Sequence, residues 1–374
     1  MSRPKLLLVA NTDWYLYRFR VPLAEFLMDQ GFLVKMVSPS GPYVSRFTEM
    51  GFEWLEWKVE RKGISPLREL QSINHLKMIY RSEQPDIVHH HTIKPVLYGS
   101  YAARELGIKA IINSITGSGY VFMSNDSKAR LLRPLVLRLY KNWLNSPRCA
   151  VIFENPDDRD DFIQRGLIRP EQAWLVKGVG VDVTAFKPAP EPNGVPVVAM
   201  ASRILWDKGV GVFVEAARLL KNRLPVRMVL AGLPDPDNPS SVPGGQLEAW
   251  SKENIVEWIG WQDDIAGLYA QSNIVALPSF YEGLPTSLIE AAACGRALIA
   301  SDIRGCREVV EHGVNGLLVK PGDPMALAKA IEELVSNQDL RTKMGITSRE
   351  KAVKTFSIEV VNQKTLEIYH HYLQ

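Results

Sequence analysis

The sequence predicts an α/β protein made of two doubly wound, Rossmann-like domains with a cleft between them. Three observations predict it. Short apolar runs alternate with amphipathic stretches along the chain, the pattern of parallel strands flanked by helices. A length of 374 residues exceeds what one small core serves. A proline-rich break, Lys187–Pro196 (KPAPEPNGVP), parts two such alternations. The expected ranges are 1–186 for the first domain, 187–196 for the linker, 197–356 for the second domain and 357–374 for a closing helix.

In order, Lys5–Ala10 reads as a strand, Asn11–Tyr17 as a loop and about Val21 to Gln30 as a helix ended by Gly31. Leu33–Ser38 and Glu53–Trp57 are strands around a helix at Val44–Met50. Leu67–Arg81 is amphipathic. Ile87–His89 and Lys109–Asn113 are strands on either side of a helix at Pro95–Leu106, and Val151–Phe153 and Trp174–Lys177 close the domain. The second alternation starts with the strand Val197–Met200, the helix Val210–Lys221, the strand Val226–Ala231 and a proline-rich loop, Gly232–Gly245. Strands at Ile255–Ile259 and Ile274–Leu277 follow, and Ala297–Ala300, Cys306–His312 and Gly316–Val319 continue the pattern. Ala326–Val335, Leu340–Val353 and Ile358–Leu373 are helical.

Composition is that of an ordinary globular protein, with 46% hydrophobic and 23% charged residues, so a disordered chain is excluded. No apolar run approaches the roughly 20 residues needed to span a bilayer. The run Leu6–Ala10 behind Arg3 and Lys5 is too short for a signal peptide and reads as a buried strand. Three cysteines, Cys149, Cys294 and Cys306, lack metal or redox spacing and fit a reducing cytoplasm. The net charge of +3 hides an asymmetry: residues 1–150 carry 21 Lys/Arg against 12 Asp/Glu, and the remainder carries 23 against 29. A basic first half favours an anionic partner. Nucleic acid is not expected, since no recognition motif accompanies the charge. Ser127–Asn145 holds Leu132, Leu135, Val136, Leu139, Tyr140 and Trp143 on one helical face, with Arg130, Arg133, Arg138 and Lys141 roughly opposite. It reads either as a surface helix with a solvated basic face, or as an interfacial helix meeting anionic lipid or a lipid pyrophosphate.

The chemistry concentrates in Pro278–Gly295 (PSFYEGLPTSLIEAAACG). A strand runs into a loop punctuated by Pro278, Gly283 and Pro285, and a helix follows, with Pro285 suited to its first position. Strand, glycine loop and helix N-terminus together favour a phosphate. Glu282 and Glu290 flank it, seven residues between them. Ser202–Gly209 (SRILWDKG) follows the first strand of the second domain and puts Arg203 and Lys208 on the same edge, where a planar fork and a point charge suit a diphosphate. Asp235-Pro-Asp237 and Asp158-Arg-Asp160 mimic D-x-D, yet neither sits where a metal would meet substrate phosphates, so no metal is expected. His89, His90 and His91 alternate faces and cannot share one zinc, though a cleft-facing one could touch substrate. No G-x-S-x-G or G-x-G-x-x-G supports a hydrolase or a dehydrogenase.

With SRILWDKG, AGLPDPDNP, the long segment from IGWQDD to GCREVV, and NGLLVKPGD, the chain resembles the retaining glycosyltransferases of family 4, which have the GT-B fold. YRFRVPL, PDIVHHHTIKP and ITGSGYVF make it most similar to bacterial transferases that build O-antigen, capsule or N-glycan precursors on undecaprenyl diphosphate. The resemblance implies a UDP-sugar donor, most of all an N-acetylhexosamine such as N-acetylgalactosamine. GDP-mannose and UDP-galactose are the alternatives, and a nucleotide-sugar epimerase of the same fold a more distant one. It implies that Arg203, Lys208 and Glu282 are catalytic, the cations on the diphosphate and Glu282 on the donor sugar. It implies that Gly283, Leu284 and Pro285 face the diphosphate, Glu290 the ribose, and Gly260 and Trp261 the base. It implies no metal and no other cofactor, a lipid-diphosphate acceptor on the first domain, a last helix crossing back to that domain, and residence at the cytoplasmic face of the inner membrane. Two departures stand out: the loop NTDWYLYRFR has no glycine pair, and Thr116 stands near where the family has a sugar-contacting histidine. Asp13, Tyr17, Arg18, Arg20 and Thr116 are the acceptor candidates, with Arg18 and Arg20 for its diphosphate.

Overall fold

The computed structural model describes residues 3–61, 63, 65–116 and 127–374; at 127–129 and 132 it describes the helical backbone alone. The chain forms two units: residues up to Val179 together with Ile358–Gln374, and Gly180–Ser357.

The first unit is a seven-stranded parallel sheet in the order β3-β2-β1-β4-β5-β6-β7. Its strands are β1 (Lys5–Val9), β2 (Leu33–Ser38), β3 (Glu53–Glu56), β4 (Ile87–His91), β5 (Ala110–Ile115), β6 (Cys149–Phe153) and β7 (Ala173–Leu175). Strands β1, β4, β5 and β6 are almost wholly buried, as expected when helices cover both faces. One face packs Leu6, Leu8, Ile112 and Ile152 against the first and last helices; the other packs Leu7, Val9, Ile111 and Val151 against the intervening ones. The first helix differs from the expectation. It runs Asp13–Asp29, so most of the predicted loop is helical. Thr12 caps it through a hydrogen bond from the Tyr15 amide (3.3 Å), and Pro22 lies inside it rather than near its start. The closing helix Ile358–Leu373 packs in this unit, where the Tyr369 hydroxyl meets His89 Nδ1 at 2.6 Å.

The second unit is a six-stranded parallel sheet in the order β10-β9-β8-β11-β12-β13. These are β8 (Val197–Ala201), β9 (Arg227–Ala231), β10 (Glu257–Gly260), β11 (Ile274–Leu277), β12 (Ala297–Ser301) and β13 (Gly316–Val319). In both sheets the strand order reverses beside the first strand of the unit, at β1/β4 and at β8/β11. Open α/β sheets bind ligands at the carboxyl ends of such switch points. Cys306–His312, expected to continue the alternation, begins inside a helix, Arg304–Val309.

Lys187–Pro196 does not separate the units. The chain passes between them at Val179–Gly180, and the proline segment packs within the second unit. Arg341 clamps Glu191 there at 2.7–3.0 Å with both groups largely buried, and Arg296 donates to the Ala189 carbonyl. Proline density marked a stiff strap, and the Glu191 ion pair holds it down. The basic stretch is the helix Ser127–Leu144. Its predicted apolar face is split. Tyr140 is buried, and Val136, Leu139 and Trp143 pack on the core, whereas Leu135 is exposed. Leu144, placed nearer the cations by the helical wheel, is fully buried, and Leu131 is 80% exposed. Leu132 and the 117–122 part of ITGSGYVF lie outside the described residues. No described helix is long and apolar enough to cross a membrane.

Candidate active site

The β8/β11 switch point of the second unit assembles the two motifs that the sequence singled out. After β8 the loop carries Arg203 and Lys208; after β11 the loop carries Glu282. They meet across the reversal, with Lys208 Nζ 2.7 Å from Glu282 Oε1 and 2.8 Å from Oε2. Ser279 Oγ donates to the same Oε1 at 2.6 Å, which fixes the carboxylate plane. Glu282 is only 8% exposed, so this pair is screened little by solvent. The two loops are joined closely. The Phe280 amide donates to the Asp207 carbonyl at 2.9 Å, and Gly209, at φ +77°, lies so near Pro278 that a Cβ there would overlap its carbonyl oxygen. Only glycine meets both conditions. Gly305 does similar duty from the other side, where the Glu282 and Gly283 carbonyls occupy the space of a Cβ. These contacts set Glu282 on a rigid loop.

Chemically, an ammonium has three donors, and Lys208 spends two of them on Glu282. The third is available to an oxyanion placed above the loop. Among the described residues Glu282 Oε2 accepts from Lys208 alone and keeps capacity for a ligand hydroxyl. Arg203 is 52% exposed and pairs with Asp235 at 3.2 Å. Asp235 therefore serves as a guanidinium partner, and Asp237 is exposed. The helix Thr286–Ala293 follows with no side-chain cap, so its leading N–H groups and its dipole face the same end. Pro285 is its N-cap, with Thr286 the first helical residue, one position later than expected. Leu284 is buried behind the loop, and Glu290 is buried at the fifth position of the helix. Gly260 ends β10 at φ +67°, and Trp261 beyond it is 60% exposed with its indole N–H on Asp263. Three strand spacings, about 15 Å, separate the ends of β10 and β11.

The first unit's candidates lie around β1/β4. Asp13 is buried and its carboxylate is taken by backbone amides, of Trp14 at 2.8 Å and Tyr43 at 2.7 Å, so it fastens the loop after β2 to the first helix. Tyr17 stacks on Tyr43. Arg18 is exposed and Arg20 is 5% exposed; two residues apart on a helix, they project about 200° apart and do not form a clamp. Arg20 and Thr116 line one cavity. All three histidines of β4 are buried. His89 bonds Tyr369 and Ser114, and His90 bonds Tyr80 and Asn113. Burial holds each in the neutral form, pushing His90 down to about 4 and His89 and His91 well below 6.5, with the Arg20 charge adding to the last two.

The sequence reading missed Ser279, Asp207 and Gly305, which hold Glu282 in place, and Glu154, which shares the Arg20 cavity. Ser279 fell inside the predicted loop, and nothing in its spacing to Glu282 marked it as a partner. Asp158 is buried and bonded to Asn155, and Asp160 pairs with Arg159. Among the described residues no group of three His, Cys, Asp or Glu is placed to hold a metal.

Comparison with known proteins bears on both units. Residues 183–351 match the family described as glycosyl transferases group 1, and residues 5–146 match glycosyl transferase 4-like. The N,N'-diacetylbacillosaminyl-diphospho-undecaprenol alpha-1,3-N-acetylgalactosaminyltransferase of Campylobacter jejuni is 27% identical over 95% of both chains. The UDP-Gal:alpha-D-GlcNAc-diphosphoundecaprenol alpha-1,3-galactosyltransferase of Escherichia coli is 24% identical over 82% of this chain and 81% of that one. In fold, a glycosyltransferase of Rickettsia africae matches with a TM-score of 0.80 at 22% identity over the whole of both chains. Anabaena HepE in complex with UDP and glucose matches at 0.78 and 20%, over 99% of this chain and 100% of that one.

Proposed function

Because the chain belongs to the glycosyltransferases of the group 1 and 4-like type, with the GT-B fold, we propose that it moves an N-acetylhexosamine, N-acetylgalactosamine foremost, from a UDP-sugar to an undecaprenyl-diphosphate-linked saccharide with retention of configuration. The observation that carries this reading is the Lys208–Glu282 pair at the β8/β11 switch point. It sets a phosphate-seeking cation and a hydroxyl-seeking carboxylate side by side, the spacing that a sugar joined to a diphosphate requires. The donor lies along the carboxyl edge, its base near Gly260 and Trp261, its ribose at Glu290, and its diphosphate under Arg203, Lys208, the loop amides Gly283 and Leu284, and the helix that starts after Pro285.

The reaction breaks the bond from C1 to the diphosphate oxygen and forms one from C1 to the acceptor oxygen on the same face. The acceptor proton passes to the departing phosphate, so UDP leaves. Lys208 and Arg203 stabilise the charge growing on that phosphate. No enzymic nucleophile and no metal is needed, and transfer is expected to persist in EDTA. The Campylobacter and Escherichia relatives, whose names specify lipid-diphosphate acceptors, support the acceptor class.

A thermal-shift screen of UDP-, GDP- and ADP-sugars tests the donor, since a ligand stabilises by RT ln(1 + [L]/Kd). A transfer assay on prenyl-diphosphate saccharides, with the anomer read by NMR, tests the rest. A shift by guanosine donors alone, or an inverted product, overturns the reading. The exposed Arg130, Arg138 and Lys141, beside the exposed Leu131 and Leu135, support peripheral attachment to the cytoplasmic leaflet of the inner membrane. Flotation with anionic liposomes is expected to fall when Arg130, Arg133, Arg138 and Lys141 are changed to glutamine; unchanged flotation rules attachment through this helix out.

A further inference from the structure

The first unit contains a small cavity, about large enough for one water, at the carboxyl ends of β4–β6, lined among others by Arg20, His89, Ser114, Thr116, Glu154 and Thr365. We propose that it seats a hydroxyl of the acceptor's sugar, read by Arg20 and Glu154 together, and not the acceptor's diphosphate. The proposal rests on the acceptor class given above and assigns the part of the acceptor that this site reads.

The first ground is an unspent donor. Arg20 is 95% buried. One terminal nitrogen donates to the Tyr15 hydroxyl at 2.9 Å, Nε has no partner, and no carboxylate among the described residues pairs with the guanidinium. A buried donor left unbonded costs about 1–3 kcal/mol, which a ligand acceptor recovers. The second ground is sign. A diphosphate wants donors and cations only. This cavity has one cation, one carboxylate and a neutral imidazole. Burial and the Arg20 charge keep His89 uncharged, and its two nitrogens are already used by Tyr369 and Ser114. Arg18, which would be the second cation, projects to solvent on another side of the helix. A cavity lined by both a donor and a carboxylate matches a hydroxyl, which both gives and takes a hydrogen bond. The third ground is size. The enclosed space holds a group about as large as one water, which suits a single hydroxyl and excludes a diphosphate.

The test uses full-length protein with two acceptors carrying the sugar that the transfer screen finds active, N-acetylglucosamine being tried first. One is a short-chain prenyl diphosphate and the other an octyl glycoside with no phosphate. Arg20→Gln and Glu154→Gln are each expected to raise the acceptor KM, or the Ki where the glycoside only competes, by about 10- to 100-fold. The factor should be the same for both probes, with the donor KM and the UDP-induced thermal shift unchanged. The proposal is overturned if the Arg20→Gln effect disappears on the octyl glycoside, because the guanidinium then reads phosphate. It is equally overturned if Glu154→Gln tightens the diphosphate acceptor, or if the glycoside neither reacts nor competes with the wild type. Should Arg20→Gln not fold, Arg20→Lys decides: a phosphate site tolerates the retained charge, whereas loss of the planar Nε donor weakens both probes alike if the site reads sugar. Absence of any donor shift or any transfer in the wild type counts against the proposed function and is separate from these outcomes.

Discussion

The two switch points of this molecule are built in opposite ways. At β8/β11 the reactive groups sit on loops, partly open, and already hold one another: Lys208 on Glu282, Arg203 on Asp235, Ser279 on Glu282. At β1/β4 the polar groups are buried in helix and strand, and some are left over: Arg20 Nε, both nitrogens of His91 and Thr92 Oγ1 have no hydrogen-bond partner among the described residues. Thr92 also carries φ +71°, a costly conformation for a β-branched residue, directly before the π-helical turn Pro95–Gly99. Backbone strain and unspent polar atoms gather where a ligand completes the structure. The second unit thus presents a finished charge template, and the first an unfinished one.

The largest effect that sharpens this contrast is expected at the finished template. Lys208→Ala and Glu282→Gln should each lower kcat by about 10²–10³, the loss seen on removing one preorganised group that stabilises transition-state charge. Melting temperature should barely fall for Glu282→Gln, because Lys208 stays partly exposed and can still donate to the neutral amide oxygen. Lys208→Ala strands Glu282 with Ser279 alone, so it should cost more stability as well. The double variant should lose no more than the worse single one, since the two act as a unit. Additive losses in a double-mutant cycle would dissolve the template into two independent residues.

This contrast also explains what could be read from the amino-acid chain. The second unit's site was legible because its residues fall in two short loops, each straight after an apolar strand: Arg203 and Lys208 behind β8, Glu282 behind β11. Strand adjacency at the reversal then brings them together without further information. The alternation of strands and helices was legible for the same reason, as buried parallel strands are short continuous apolar runs. In the first unit the cavity draws Arg20 from one helix, Ser114 from β5, Thr116 just past it, Glu154 just past β6 and Thr365 from the closing helix. No local pattern links positions 20 and 365. The first helix was misplaced because Tyr, Trp and Phe at 14–19 blur its apolar face, whereas Thr12 caps it well before the expected start at about Val21. The strap at 187–196 was misread because its anchor, Arg341, is 150 residues away.

A smaller, global effect separates the units by pH. The first unit buries three neutral histidines in β4. Their folded pKa values lie below the unfolded value of about 6.5, with His90 at about 4. A depressed pKa means that the unfolded chain binds more protons, so this stability is fully present above pH 6.5 and is lost as pH falls through the folded values. For His90 alone the loss is on the order of 3 kcal/mol by pH 4. The second unit's depressed carboxylates, Asp302 and Glu257, titrate below that window. Calorimetry from pH 7 to pH 4.5 should therefore show the first unit's transition moving down while the second holds. A parallel shift of both transitions, or none, would remove the distinction.

The smallest effect is a predicted silence, and it bears most directly on how the unfinished template works. Arg18 and Arg20 look equivalent in the sequence, two cations one residue apart in YRFRVPL. The helix Asp13–Asp29 separates them: about 200° of rotation sends Arg18 to solvent and Arg20 under the sheet's carboxyl edge. An exposed guanidinium acts on a ligand within the same unit only through screened, long-range charge, worth a few tenths of a kcal/mol at physiological salt. Arg18→Ala should then change the acceptor KM by less than about twofold, and that small change should vanish at high ionic strength. Arg20→Ala at the same salt should keep its full effect, since a buried contact is not screened. If Arg18→Ala matched Arg20→Ala in both size and salt dependence, the two would be acting as one electrostatic patch, and burial would no longer distinguish the first unit's site from the second's.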